Sequence, residues 1–522
     1  MAATATTTGN GPHGGPAAPD PAPLSLPEEV RRRLVSRLPG DHGASWIWAA
    51  VIGLVALVLR LVSLAYPDEI IFDEVYYANE GNSMLLHGSE WDLEKNTPKF
   101  IVHPPLGKWL IAIGIKLFGF DSFGWRISAV VAGVASVVIL VRVGRRLFGS
   151  TALGCLAGLL LALDGMHFVS SRTALLDIFL MVFVLAAFAC LVVDRDTRRA
   201  AWLRALEGGL DPTREQPSFG VPWWRISAAV LAGCALSVKW SAAWYIALFL
   251  VLLVVWEFST QRSAGVPVGM RWSTQRLAAT FSWAWLFGTL TVVVYLLSWT
   301  GWFLDDGAMY RHWLRDQGQS EWPVLGALRN LYEYHSQAYG FHTGLTTEHQ
   351  YQSWPWQWLL LGRPVAYYWS DAGTCGAPSC AAEVLLLGTP LLWWSFLPAL
   401  VATLWYAISR RDWRAWTILA AAATGIVPWF AYMLDKRTMF YFYALPSAPF
   451  LVLALTMALG MLIGPPTPPG GDPTRRTVGT LAVAGYVVAV GLCFLYFYPL
   501  YIGEPIPYES WHARMWLGRL WI

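Results

Sequence analysis

The chain has 522 residues and a formal charge of +3; 56% of it is hydrophobic, only 14% is charged, and 31 residues are tryptophan. A composition so poor in charge excludes an ordinary soluble domain. Apolar runs of about 20 residues, enough to cross a ~30 Å hydrocarbon core, recur from Trp46 onwards. The net charge says little about partners, because in such a chain the side on which arginines lie matters more than their sum; no nucleic-acid partner is expected.

Residues 1–45 are rich in Ala, Thr, Gly and Pro and include a basic cluster at Arg31, Arg32 and Arg33. They lack the apolar stretch of a signal peptide and read as a disordered cytoplasmic tail. Apolar segments follow at 46–66, 104–119, 124–142, 147–163, 174–193, 223–240, 241–257, 277–299, 386–408, 415–433, 438–462 and 477–498. If all of them crossed, the arginines of RVGRR (142–146) would lie on the far side, against the positive-inside rule. Segment 104–119 is short and carries Lys108 and Lys116, so it reads as an amphipathic helix in the membrane interface.

The remaining segments predict an all-α polytopic membrane protein with about eleven transmembrane helices. RVGRR, RDTRR (195–199), SRRDWR (409–414), Arg475 and Arg476 then share the cytoplasmic side. The N-terminus falls inside and the C-terminus outside. This divides the chain into an N-terminal transmembrane catalytic region (46–300), an outer loop (301–385) and a C-terminal transmembrane region (386–522), with a further outer loop at 67–123. The inner stretch 194–222 has neither GxGxxG nor GxxxxGK[ST], so nucleotide hydrolysis is not the expected energy source.

Just past the first span comes PDEIIFDEVYYANEG (67–81), with Asp73 and Glu74 adjacent among aromatic residues. Asp68, Glu69, Asp73 and Glu74 fit a solvated acidic loop. They also fit a carboxylate placed at the membrane surface to take a proton from an alcohol, with its neighbour hydrogen-bonding to substrate or backbone. Arg126, Arg172, Lys239, Lys436 and Arg437 all fall on the same outer boundary. Any one of them fits a snorkelling side chain; several spans each delivering a cation to that level fit binding of a lipid phosphate. Cys375 and Cys380, in CGAPSC, suit a small disulfide if the loop faces an oxidising compartment, or half of a zinc site for which no second ligand pair is apparent.

With those residues in view, the chain resembles the protein O-mannosyltransferases, membrane glycosyltransferases that use polyprenyl phosphate sugars. The resemblance rests on FDEVYYA (72–78), HPPLGKW (103–109), SRTALLD (171–177), SVKW (237–240), EHQYQSWPWQW (348–358), LGTPLLWW (387–394) and RTMFYFYALP (437–446). It implies a GT-C type glycosyltransferase fold with interfacial helices in the first outer loop. Asp73 looks like the family's catalytic aspartate and Glu74 its partner, while Arg126, Arg172 and Lys239 match positions lining the donor phosphate site. His103, Lys108, Asp177 and Arg437 are weaker candidates: PPLGK also fits the proline-led start of an interfacial helix, and Asp177 either orients Arg172 or satisfies a buried polar contact. The WPWQW and LLWW runs read as interface anchors rather than sugar platforms. Loop 301–385 is too short for the β-trefoil (MIR) domain of eukaryotic members, which suggests a bacterial, actinobacterial-type enzyme, and Thr389 stands where many relatives have asparagine.

The resemblance further implies transfer of a single mannose from polyprenyl phosphate mannose to Ser/Thr hydroxyls of exported proteins, with inversion, on the outer face of a bacterial plasma membrane. No tightly bound cofactor is expected, and fixed cations are expected to take the place of a divalent metal. The expected partners are the lipid-linked donor, Ser/Thr-rich acceptors, membrane lipids and the secretion machinery. The rival readings are a GT-C enzyme acting on a lipid or lipoglycan, and a secondary transporter. A transporter would carry its ionisable residues at mid-membrane rather than at the outer boundary.

Overall fold

Residues 27–36, 38–468 and 471–522 are described in a computed structural model. Within them, each of the eleven segments read as a span becomes helical, because a chain in hydrocarbon must pair its backbone groups internally. Among the described residues nine helices are long and apolar enough to cross: His42–Leu61, Ser122–Phe148, Asp177–Glu207, Ala242–Ser263, Thr274–Ser298, Pro390–Arg410, Trp413–Leu434, Tyr441–Ile463 and Thr474–Ile502. The other two, Thr151–Ala162 and Trp223–Leu236, are shorter. The first is cut short by Asp164, whose carboxylate accepts from the Met166 and His167 amides and starts a new helix, Gly165–Ser170. Thr389 ties the next layer to this break, donating to the Leu163 carbonyl (2.7 Å) and accepting from the Gly165 amide (3.1 Å). The chain is a multi-pass membrane protein.

Segment 104–119 forms the helix Leu106–Phe118, 13 residues or about 20 Å long, which is short of a crossing. Its inner face, including Ile111, Ala112 and Ile115, is buried, while Ile113, Leu117 and Phe118 are exposed. Close packing needs glycine here: a Cβ on Gly114 would sit 2.4 Å from the Gly124 carbonyl oxygen.

Two regions carry more structure than the sequence suggests. Of the expected tail 1–45, residues 1–26 lie outside the described residues, but Glu28–Leu34 is a helix and His42 already begins the first span. Leu34 is buried with Trp202, Leu206, Ala264 and Val266, so one apolar side chain anchors an otherwise charged turn. The loop 301–385 contains the helix Leu325–Gly344 and an antiparallel pair, Val365–Ser370 with Cys380–Leu386, extended by Ile506–Pro507. Cys375 and Cys380 close this hairpin as a disulfide, with Cα atoms 5.9 Å apart. The tryptophan runs are not uniformly interfacial: Trp358 and Trp393 are buried, and Trp393 donates from Nε1 to Asp164 at 2.7 Å.

Candidate active site

Asp73 stands at the N-cap of the helix Glu74–His87, yet its side chain makes no capping bond. Burial pushes its pKa up to about 6, as do the charges of Asp177 and Glu80, while the Lys239 ammonium pulls the other way. Glu74, next in sequence, is fully buried. It accepts from the Ile71 and Ala174 amides (3.1 and 3.0 Å), Trp125 Nε1 (3.2 Å), and Arg126 Nε and Nη2 (2.8 and 2.9 Å). The helix start sends the two carboxylates opposite ways, leaving one uncommitted and the other saturated.

The expected cations separate in the same manner. Arg126, buried, spends its guanidinium inside the protein: beyond Glu74 it donates to the carbonyls of Leu64, Pro67 and Glu69 at 3.2, 2.8 and 2.9 Å. All five donors are engaged. Arg172 donates to the Arg60, Val62 and Ser63 carbonyls at 2.6 to 2.8 Å, tying off the C-terminal end of the first span. These two hold the loop that presents Asp73, and the structure does not bring them together with the cavity described next. Lys436 is exposed.

Lys239 and Arg437 do meet, in the wall of a cavity of about 240 Å³ that Asp177, His103, His342 and Tyr443 also line. Lys239 Nζ donates to Asp177 at 2.7 Å, so Asp177 orients this lysine rather than Arg172. Its ammonium also lies 5.7 Å from the ring centres of Phe442 and Tyr443. Arg437 donates from Nε to the His342 carbonyl (2.9 Å) and from Nη1 to its neighbour's carbonyl (3.1 Å). Among the described residues its Nη2 has no hydrogen-bond partner, which leaves donors for a ligand. His103 lies 5.1 Å from His342, ring centre to ring centre. Burial, together with the charges of Lys239, Lys108 and Arg437, holds its pKa well below the usual range and keeps the ring neutral.

Lys108 is buried outside this cavity. It donates to Glu90 (2.8 Å) and to the His103 carbonyl (2.9 Å), with Glu80 at 3.8 Å, so it shapes the turn carrying His103. Sequence reasoning missed Glu80, Glu90 and His342. The spacing of Asp73, Tyr77 and Glu80 places Glu80 on one helix face with Asp73 and was a usable signal. His342 and Glu90 carry no such local mark.

Two family models match the chain: "Dolichyl-phosphate-mannose-protein mannosyltransferase" over residues 102–207 and "C-terminal four TMM region of protein-O-mannosyltransferase" over residues 327–521. The chain is 40% identical over 493 residues to a polyprenol-phosphate-mannose–protein mannosyltransferase of Mycolicibacterium smegmatis, covering 92% of this chain and 93% of that one. A protein of the same name from Mycobacterium tuberculosis is 37% identical over 494 residues, covering 92% of each. Among solved structures, the Saccharomyces cerevisiae protein O-mannosyltransferase Pmt1-Pmt2 complex bound to the sugar donor gives a TM-score of 0.71 at 15% identity, covering 97% of this chain and 96% of that chain. That likeness is one of fold, the GT-C glycosyltransferase fold. With relatives this similar over nearly their whole length, the chain belongs to the protein O-mannosyltransferase family in its bacterial form.

Proposed function

We propose that this protein moves one mannose from polyprenyl phosphate mannose to Ser or Thr hydroxyls of exported proteins, with inversion, on the outer face of a bacterial plasma membrane. The observation that carries this reading is the uncommitted Asp73 carboxylate, which feels the charges of Lys239 and Asp177, two paired groups in the lining of a cavity that Arg437 shares.

The acceptor oxygen attacks the anomeric carbon as its proton passes to Asp73. The bond from that carbon to the phosphate oxygen breaks, and the phosphate leaves with the electron pair. Lys239 and Arg437 neutralise the leaving charge, which is the work a divalent cation would otherwise do, so the reaction as proposed needs no metal. Asp177 orients Lys239. Glu74, Arg126 and Arg172 act as positioning residues for the loop, a different role from the direct phosphate contact that the sequence suggests for the two arginines. The N-terminus lies in the cytoplasm and the C-terminus outside, with the secretion machinery as a partner.

Purified protein incubated with polyprenyl phosphomannose and a Ser/Thr/Pro-rich peptide tests the reading by mass spectrometry. The expected product is the peptide plus one hexose, with no product from a peptide whose hydroxyl residues are all alanine. An unmodified peptide alongside a mannosylated lipoglycan in the same assay would overturn the protein acceptor.

A further inference from the structure

At the other end of the bundle, three basic clusters that are far apart in sequence meet. The helix Ser122–Phe148 carries Arg126 near one end and Arg146 near the other, a separation of about 30 Å along its axis. That distance matches the thickness of the hydrocarbon core, so Arg146 belongs to the opposite membrane face from Asp73. There a second cavity, of about 640 Å³, is lined by Arg32, Arg33, Arg146, Arg195, Arg199 and Arg414. Among the described residues three carboxylates, Glu29, Asp196 and Asp412, share the lining with the six arginines, a net charge of +3 in one recess.

The recess is built rather than incidental. Arg195 is 7% exposed, and its guanidinium lies 3.4 Å from the centre of the Trp413 ring, which fixes the plane of the fork. Among the described residues its buried Nε has no hydrogen-bond partner. Asp196 is shared between Arg146 (2.9 Å) and Arg195 (3.2 Å), so one carboxylate serves two guanidinium groups. Arg199 donates to the Arg33 carbonyl, which closes the wall formed by the short helix Glu28–Leu34. Arg414 is held by Asp412 and by the Leu147 carbonyl (3.1 Å). Buried arginines with spare donors and excess positive charge are suited to a phosphate group, whose oxygens match the guanidinium fork.

We propose that this recess is a binding site for a phosphate-bearing anion, separate from the mannose-transfer site. The recess lies at the ends of the spans Ser122–Phe148, Asp177–Glu207 and Trp413–Leu434, at the level of lipid headgroups, where basic pockets between helices take anionic lipids. Its volume exceeds what a bare phosphate fills. A phosphodiester headgroup and a free phosphate ion share the recognised chemistry, and the two sources separate by experiment.

Delipidated full-length protein in detergent is titrated with dioctanoyl phosphatidylglycerol, with zwitterionic dioctanoyl phosphatidylcholine, or with inorganic phosphate, and the melting temperature is followed. Phosphatidylglycerol is expected to raise Tm saturably at concentrations where phosphatidylcholine does not, and added salt to weaken the response. An equal rise with inorganic phosphate would assign the recess to the free ion. Arg146→Gln with Arg195→Gln should weaken the apparent affinity by about tenfold or more, as loss of charge-assisted contacts does. If that pair fails to fold, Arg32→Gln with Arg33→Gln, on the outer wall, should weaken it by roughly threefold to tenfold. The site is overturned if neither anion raises Tm in the unsubstituted protein, or if the folded variant responds as that protein does.

Discussion

Arg126 holds both carboxylate oxygens of Glu74, at 2.8 and 2.9 Å, in a pair shut off from solvent. The two residues join the start of the helix Glu74–His87 to the start of the second span, and the carbonyls of Leu64, Pro67 and Glu69 complete the arginine's shell. The loop leading to Asp73 is therefore clamped from beneath by a group that has no donor left for substrate.

That clamp makes Glu74→Gln a folding variant before it is a kinetic one. Removing one partner strands a buried guanidinium, at a cost of about 3–5 kcal/mol. A large fall in melting temperature is expected in a thermal-shift assay, partly recovered when Arg126→Met is combined with it. An unchanged Tm in the single variant would show that the pair does not hold the loop.

Asp73→Asn should behave in the opposite way. The carboxylate makes no capping bond, so stability should be kept while turnover falls by roughly 100- to 10,000-fold, the span of general-base catalysis. Retention of labelled donor in detergent should persist. Near-normal turnover would remove Asp73 as the base.

The acid limb of the rate profile follows from the same group. Burial sets the Asp73 pKa at about 6, and only the ionised form accepts a proton. Turnover should level off above that pH and fall about tenfold per unit below it. A profile flat from pH 5 to 8 would assign the proton elsewhere.

Lys239→Ala should lower kcat/KM for the donor by on the order of 10- to 1,000-fold, the range for loss of a preorganised charge. Lys239→Arg should not restore it, because the guanidinium differs from an ammonium in reach and geometry. Since Lys239→Ala leaves Asp177 without its partner, the double change with Asp177→Asn separates stability from donor binding. Unimpaired donor use by a folded Lys239→Ala protein would move the phosphate site away from this cavity.

Glu383, buried in the strand Cys380–Leu386 and accepting from Trp511 Nε1 at 2.6 Å, has its pKa raised by burial to about 7. A raised carboxyl favours the folded state fully below its unfolded pKa. That advantage is lost progressively as pH rises from about 4.5 to about 7. Glu383→Gln should accordingly stabilise by on the order of 1–3 kcal/mol above pH 7 and very little at pH 4. Thermal melts at the two pH values check this; an equal effect at both would mean the carboxyl is not desolvated in the fold.

Hydropathy is a local property, and what depends on it was legible in the sequence by itself: the eleven apolar segments, the exclusion of 104–119 by its two lysines, and the motif placing Asp73 just beyond the first span. The CGAPSC spacing likewise marks a small closed loop. Charge pairing is not local. Arg126 lies 52 residues from Glu74 and Lys239 lies 62 from Asp177, and nothing in either neighbourhood says which carboxylate neutralises which cation. Arg126, Arg172, Lys239 and Arg437 therefore look alike in the sequence. Only tertiary packing decided that Arg126 is consumed by the loop and Arg172 is tied to the end of the first span while the last two face a cavity, because a buried charge is committed by whichever partners the fold brings within hydrogen-bonding reach.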